Sequence, residues 1–217
     1  MPNYPFYTIS SQSALPVYHY LDIGRLGRGE VVNLFLKDAG IEFKEVRYAY
    51  DDTWPAASEK LRQTGITRTG KVPALEYNGL ILTQHIPTLR YLARELGQYD
   101  GETSGDKYLV DAVADVYIDW RYNWVNQLKG LTKEFTNEFL PWYYDVITQY
   151  YAEREGPYLL GDKITYVDFA VYQSLDNDQR IGANPPKLSG PLLKLKEAIE
   201  ARPKIAAYLK ENRVGGA

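Results

Sequence analysis

The residues that can do chemistry in this sequence are unusual in type: it has no cysteine, two histidines and 20 tyrosines. A chain without cysteine has no thiol nucleophile, no disulfide scaffold and no thiolate zinc site. Two histidines, His19 and His85, are too few for a multi-histidine metal centre, so we expect no bound metal. Tyrosine combines an apolar ring with a hydroxyl that donates a hydrogen bond. The composition therefore predicts that hydroxyl groups carry out any chemistry.

The overall composition is that of an ordinary globular protein, with 217 residues and enough chain to bury a core. The formal net charge of −3 gives no basic footprint for nucleic acid. The first residues lack the pattern of a signal peptide, and no apolar run approaches the roughly 20 residues of a membrane span. The sequence therefore predicts a cytoplasmic protein with neither a nucleic-acid nor a membrane partner.

The first half of the chain alternates predicted strands and helices. The run VYHYLDI, bounded by proline and glycine, is typical of a first strand. The helix after it ends at Gly40, because glycine readily adopts the left-handed conformation found just past a helix. Asn78 and Gly79, between two apolar runs, predict a β-hairpin. The predicted order is βαβ, a helical connection and then ββα, so parallel and antiparallel pairing are mixed.

The second half of the chain predicts helices. Thr165 and Asp168 predict a capping box, in which each side chain binds the other residue's amide, and we interpret this pair as a folding element. Pro141 predicts a bend in the second long helix. A stretch rich in glycine, serine and charged residues separates the halves. We therefore expect three segments: a first domain over residues 1–97 with an N-terminal extension of about 15 residues, a linker over 98–106, and a helical domain over 107–217.

Four motifs follow one another in an order that is specific as a set: HYLDIGRLGRGE, GKVPALEYNGLILTQ, RYLARELG and YLLGDKITYVDFAVY. With these motifs the chain resembles the cytosolic glutathione transferase family, in particular its Tyr-type, sigma-like enzymes. The resemblance implies an α/β thioredoxin-like N-terminal domain that binds glutathione and an all-α C-terminal domain that contributes the pocket for an apolar electrophile. It also implies a homodimeric detoxification enzyme with glutathione as cosubstrate.

The resemblance assigns the catalytic role to Tyr20, which follows His19 near the end of the first strand. An ordinary thiol with a pKa near 8.5 is only about 3% ionised at neutral pH. A hydroxyl that donates to the sulfur stabilises the thiolate, and a phenol is suitable because it stays protonated far above pH 7. Tyr18 shares this face of the strand and is the alternative. Either ring could instead be a half-buried strand aromatic.

The resemblance also assigns residues that would bind the glutathione backbone. Arg28, with Arg25 before it, would hold a carboxylate or add positive potential near the thiolate; a solvated arginine is the alternative for each. Val72 would pair with the cysteinyl backbone, because Pro73 follows it through a cis peptide bond. Two further residues would lie at the glycine end of the ligand or beside it: Trp54, alternatively a packed loop aromatic, and Lys71.

The γ-glutamyl end of glutathione would lie at the helix after the hairpin. The family has Gln-Ser or Glu-Ser at this helix start, whereas this chain has Gln84 and His85. Gln84 would meet the γ-glutamyl group and the helix N-terminus would bind its carboxylate, while His85 would either donate a hydrogen bond or block the site. In the second domain Asp111, Asp115 and Asp119 recur on one helix face, and Asp119 or Asp115 would reach the γ-glutamyl amine of the second protomer.

Two departures from the family pattern support alternatives. The loop between Tyr20 and the LGRGE segment is about two residues longer than in the family, and His85 replaces a serine. These features favour a non-catalytic binding or assembly module, and a glutathione-dependent isomerase would share the same site. The GRLGRG segment could alternatively bind a phosphate. Aromatic residues of the first long helix could form the electrophile pocket, the helical core or a dimer interface: Tyr108, Tyr117, Trp120, Tyr122 and Trp124.

Overall fold

A computed structural model describes residues 15–188 and 190–211 of the protein, so most of the predicted N-terminal extension lies outside the described residues. The described chain forms two compact units, residues 15–89 and residues from 90 onwards. This boundary lies inside a helix, and the domain limits derived from the sequence stay a prediction. Within the described ranges no helix is long and apolar enough to cross a membrane.

The first unit is an α/β unit built on one four-stranded sheet. Its elements are β1 (Val17–Leu21), α1 (Arg28–Ala39), β2 (Lys44–Tyr48), α2 (Trp54–Gln63), β3 (Ala74–Tyr77), β4 (Leu80–Thr83) and the start of α3 (His85–Leu96). The strand order is β2-β1-β3-β4, with β1 parallel to β2 and antiparallel to β3. The mixed pairing and the thioredoxin-like arrangement are confirmed.

Turn residues of the first unit adopt the conformations that their types predict. Asn78 and Gly79 have φ of 47° and 78°, as the two-residue hairpin between β3 and β4 requires. Gly40 has φ of 71° and follows the last residue of α1. The hairpin and the end of α1 are therefore confirmed.

The central strand β1 presents different chemistry on its two faces. Side chains alternate along a strand, so Tyr18 and Tyr20 share one face and His19 lies on the other. His19 Nδ1 is 2.8 Å from the Tyr48 hydroxyl, and its Nε2 is 2.8 Å from Glu76 Oε1. The histidine is buried and connects β1 to both neighbouring strands.

The second unit is helical in its regular elements, as predicted. After α3 it contains α4 (Ser104–Asn126), α5 (Leu140–Ala152), α6 (Tyr166–Arg180), α7 (Gly190–Ala201) and α8 (Pro203–Lys210). A π-helical turn, Phe135–Phe139, directly precedes α5, which begins one residue before Pro141. Proline has no N–H to donate to the preceding turn, and a wider turn accommodates this loss.

Buried aromatic residues of α4 form part of the core of the second unit. Tyr117, Trp120 and Trp124 are at most 1% exposed, whereas Tyr108 and Tyr122 are more than 70% exposed. The core alternative is thus confirmed for the first three of these rings.

Burial also raises the pKa of a carboxyl that the sequence did not single out, Asp178, to about 8.

The predicted capping box at the start of α6 is present. Asp168 is fully buried, and its Oδ2 accepts from the amide and the hydroxyl of Thr165 at 2.6 and 2.8 Å. Its Oδ1 accepts from the Tyr151 hydroxyl and the Leu159 amide. This carboxylate therefore ties two other segments of the second unit, α5 and the loop at Leu159, to the start of α6.

Candidate functional site

The two tyrosines of β1 differ in how firmly their hydroxyls are held. Tyr18 is fully buried and donates to the Gly29 carbonyl at 2.6 Å. Burial raises the pKa of Tyr18 well above its usual value. Tyr20 donates to the Leu26 carbonyl at 3.3 Å, which is longer than an ordinary O–H···O hydrogen bond. Tyr20 is also buried, at 3% exposed, and its hydrogen bond to Leu26 is weaker than that of Tyr18 to Gly29.

The lengthened loop and the first turn of α1 both contact Tyr20. The Leu26 amide donates to the Ile23 carbonyl at 3.3 Å, and Gly24 adopts φ of 63°, so the loop closes on itself as a turn. A Cβ atom on Gly29 would lie 2.3 Å from the Tyr20 ring. A side chain at position 29 would consequently displace the ring, a constraint that sequence reasoning missed.

The two arginines predicted to hold a carboxylate lie in the segment that leads into α1. Arg25 lies in the loop and Arg28 is the first residue of the helix; both are half-buried. Gly27, which has no side chain, is the N-cap residue and has φ of 78°. A helix N-terminus carries partial positive charge, to which Arg28 adds, while the buried Glu30 in the same turn offsets part of it.

A third arginine, Arg47, contacts the same pair of rings and was missed by sequence reasoning. It lies opposite Tyr20 in the parallel ladder between β1 and β2. Its Cζ lies 5.8 Å from the Tyr18 ring centroid and 5.7 Å from that of Tyr20. Its Nε donates to Glu45 and its Nη1 to the Leu21 carbonyl. The sequence offered one signal for this residue, since an arginine within a short, half-buried strand is unusual.

The predicted backbone-pairing segment lies between α2 and β3. The peptide bond between Val72 and Pro73 is cis, as predicted. Val72 is half-buried, whereas Lys71 is exposed and its amide donates to the Thr69 hydroxyl. A lysine in this position is free to move its side chain through solvent.

Trp54 is the first residue of α2 and is half-buried. Its ring lies edge-on to Tyr48 and Tyr50, at centroid distances of 6.1 and 6.4 Å. Tyr48 is itself held by His19, and burial raises its pKa. The structure therefore places Trp54 within an aromatic cluster whose partner ring is fixed to the sheet.

Gln84 and His85 mark the beginning of α3. Gln84 is exposed, has φ of 66°, and its carbonyl accepts from the Thr88 amide at 2.9 Å. His85 is only 2% exposed, and its Nε2 is buried. The first turn of α3 contains no acidic residue. The histidine ring thus points into the protein, and the exposed group at this helix start is the Gln84 side chain.

The three aspartates of α4 have different surroundings. Asp111 accepts a hydrogen bond from Arg90 Nε at 2.8 Å and another from the Tyr166 hydroxyl. Asp115 and Asp119 are exposed. Asp111 is therefore a structural residue of the second unit, and the other two carboxylates face solvent in the single chain.

Comparisons with known proteins agree on one family. The glutathione S-transferase N-terminal domain model matches residues 16–94, and the C-terminal domain model matches residues 118–212. The probable glutathione S-transferase 7 of Caenorhabditis elegans is 30% identical over 68% of this chain and 73% of its own length. The hematopoietic prostaglandin D synthase of Gallus gallus is 27% identical over 91% of this chain and 97% of its own.

Solved structures give the same result. The pi-class glutathione S-transferase of Onchocerca volvulus has a TM-score of 0.74 and 25% identity, with 90% of this chain and 92% of that chain covered. A glutathione S-transferase structure from Caenorhabditis elegans has a TM-score of 0.73 and 28% identity, with 89% and 96% covered. The chain therefore belongs to the glutathione transferase family and is a glutathione transferase enzyme.

Proposed function

We propose that this enzyme conjugates the glutathione thiolate to an apolar electrophile and that Tyr20 stabilises the thiolate. The single observation that carries the proposal is the difference between the two strand hydroxyls. The Tyr18 hydroxyl is buried in a 2.6 Å hydrogen bond, whereas Tyr20 forms a longer and weaker bond of 3.3 Å to Leu26, which a bond to sulfur would replace. A hydrogen bond to a charged acceptor is also stronger than one to a neutral carbonyl.

In the proposed reaction the glutathione thiol loses its proton to solvent, and the Tyr20 hydroxyl donates to the resulting sulfur anion. The thiolate then forms a C–S bond with an electrophilic carbon. With an aryl halide as the test substrate, the halide leaves with the bonding electron pair. Each unit by which the thiol pKa is lowered corresponds to about 1.4 kcal/mol of preferential stabilisation of the thiolate.

The proposal includes the binding residues predicted from the motifs. Arg28 and the start of α1 would hold a carboxylate, and Val72 would pair with the cysteinyl backbone. Gln84 and the amides at the start of α3 would hold the γ-glutamyl group, while His85 would support the helix from within. Two residues would flank the glycine end: Trp54 and Lys71. In the proposed cytoplasmic homodimer Asp119 would reach the γ-glutamyl amine of the second protomer.

Steady-state kinetics with glutathione and an aryl halide test the assignment. We expect Tyr20→Phe to lower kcat at neutral pH by roughly 10- to 100-fold, because a hydrogen bond to a charged group contributes about 1.5–3 kcal/mol. Tyr18→Phe is the matched control, with the same atom removed two residues away. Equal losses in the two variants, or a loss in Tyr18→Phe alone, would contradict the proposal.

A second function is favoured by the relatives named hematopoietic prostaglandin D synthase, of which the Gallus gallus and Homo sapiens proteins are 27% and 26% identical to this chain. A glutathione-dependent isomerase would use the same thiolate as a transient nucleophile and release it unchanged. Quantifying glutathione before and after turnover of a candidate substrate separates the two functions. Conjugation consumes one glutathione per product, whereas isomerisation consumes none.

A further inference from the structure

The guanidinium of Arg47 lies in a position from which it can act on the Tyr20 phenol. Its Cζ is 5.7 Å from the centroid of that ring, within the roughly 6 Å range of a cation–π contact. Two hydrogen bonds also hold the guanidinium in this position. Nε donates to Glu45 Oε2 at 3.0 Å, and Nη1 donates to the Leu21 carbonyl at 3.1 Å, directly after Tyr20 in the chain.

The charge of Arg47 is screened less by solvent than the charge of a surface arginine. The Arg47 side chain is only 18% exposed. Its Nη2 is buried and has no hydrogen-bond partner among the described residues. Burying a guanidinium nitrogen without a partner is costly, so a compensating interaction with the rings is expected. A cation in a poorly solvated position is screened less and interacts more strongly with its neighbours.

From these contacts we propose that Arg47 is a positioning residue for Tyr20. It holds the ring at the end of β1 and, through its positive charge against the ring, makes the hydroxyl a stronger hydrogen-bond donor to the glutathione thiolate. This inference rests on the proposed role of Tyr20. Removing the charge would weaken the donor without removing any group that touches the substrate.

Other charged and titratable groups lie near this contact. Glu45 lies on the same strand as Arg47 and offsets part of its charge. Tyr18 shares the guanidinium, and Arg47 opposes the rise in the pKa of Tyr18 that burial causes. Glu30, buried in the first turn of α1, acts in the opposite direction on Tyr18. The contact of Arg47 with the Tyr20 ring therefore acts beside these other charges.

The test is the pKa of the enzyme-bound glutathione thiol, measured from thiolate absorbance as a function of pH. We expect Arg47→Gln to raise this pKa by about half a unit, which corresponds to a cation–π contribution at the lower end of the usual range. Arg47→Lys keeps the charge and should raise it less. Arg62→Gln is the matched control, because Arg62 forms an ion pair of the same 3.0 Å Nε to Oε2 geometry on the exposed surface of α2.

Repeating the substitution in a Tyr20→Phe background separates positioning from other effects. If Arg47 acts through the Tyr20 hydroxyl, the Arg47→Gln shift disappears once that hydroxyl is removed. An equal shift in both backgrounds, or no shift in the wild-type background, would overturn the inference. If circular dichroism shows that Arg47→Gln does not fold, Arg47→Met can replace it, because it keeps the apolar stem of the side chain. The measured quantity is again the pKa of the bound thiol.

The same measurements distinguish the two levels of the account. A bound thiol pKa that moves in Tyr20→Phe but not in Arg47→Gln leaves the proposed function standing and refutes the role of Arg47. A thiol pKa that does not move in Tyr20→Phe refutes the proposed function, and the role of Arg47 with it.

Discussion

The two units of this protein satisfy the amides at their helix starts in different ways. In the second unit α4 and α6 begin with a threonine and an aspartate that form capping boxes. In the first unit the N-cap residue of α1 is a glycine, although Glu30 lies in the first turn of that helix, and the first turn of α3 has no acidic residue. At α2 the Thr53 hydroxyl donates to Asp51 rather than accepting from the helix.

Helix starts that are capped by an acid and helix starts that are not serve different purposes, namely stability of the fold and binding of an anion. A capping carboxylate occupies the partial positive charge of a helix start and stabilises the fold. A helix start without one keeps that charge available for an anionic ligand such as a glutathione carboxylate. The helical unit therefore uses its own acids at the starts of α4 and α6, whereas the start of α3 in the α/β unit has no acid of its own and is suited to receive one from a ligand.

The largest effect is expected in the second unit, at Asp168. Asp168→Ala would leave four buried donors without their acceptor and should lower the free energy of unfolding by about 3–5 kcal/mol. Urea unfolding followed by tryptophan fluorescence is a suitable measurement, since three of the four tryptophans lie in this unit. Asp168→Asn, which keeps one acceptor, is the control and should cost less. A loss below about 1 kcal/mol for the alanine variant would show that the box is dispensable.

An intermediate effect is expected when a carboxylate is placed at an open helix start. Pro87 is exposed in the first turn of α3, so Pro87→Glu adds a negative charge near the proposed γ-glutamyl site. Relative to the neutral Pro87→Gln control, we expect the dissociation constant for glutathione to rise roughly two- to fivefold, from about 0.3–1 kcal/mol of helix-terminus electrostatics. Calorimetric titration measures it. Equal affinities in the two variants would mean that this helix start does not bind the ligand.

The smallest effect is expected at the start of α4. The Thr103 hydroxyl accepts from the Asp106 amide at 3.1 Å, and the Asp106 carboxylate is also held by Arg154. Thr103→Ala should therefore cost about 1 kcal/mol of stability and leave kcat and KM unchanged. Thermal unfolding and steady-state kinetics on the same sample check both parts. A raised KM for glutathione would show that this cap in the second unit affects ligand binding as well as stability.

Local signals in the sequence predicted much of the fold. The hairpin follows from Asn78 and Gly79, since few other residues tolerate positive φ, and the helix after it was predicted as the last element of the ββα order. The start of α4 was missed, because the stretch containing Thr103 and Asp106 is rich in glycine and serine and was interpreted as linker. Its threonine and aspartate, three residues apart, are nevertheless a capping box.

The candidate site was less predictable, because its contacts depend on distant pairing. Tyr20 was identified from a motif, yet its partner Arg47 is 27 positions further along the chain and reaches the ring through the register of β1 against β2. Gly29 is required by the Tyr20 ring, which no local pattern reveals. His85 was expected either to donate a hydrogen bond to the ligand or to block its site; the structure shows its ring buried, a direction that depends on the packing beneath the helix start, and its role stays a prediction.

The most direct test of the central claim is a pH titration of the thiolate absorbance of bound glutathione in the wild type, Tyr20→Phe and Tyr18→Phe. We expect a wild-type thiol pKa below the ordinary value near 8.5 and a rise of about one to two units in Tyr20→Phe. No change is expected in Tyr18→Phe, whose hydroxyl stays bound to the Gly29 carbonyl in the native enzyme. A wild-type thiol pKa retained in Tyr20→Phe would contradict the account.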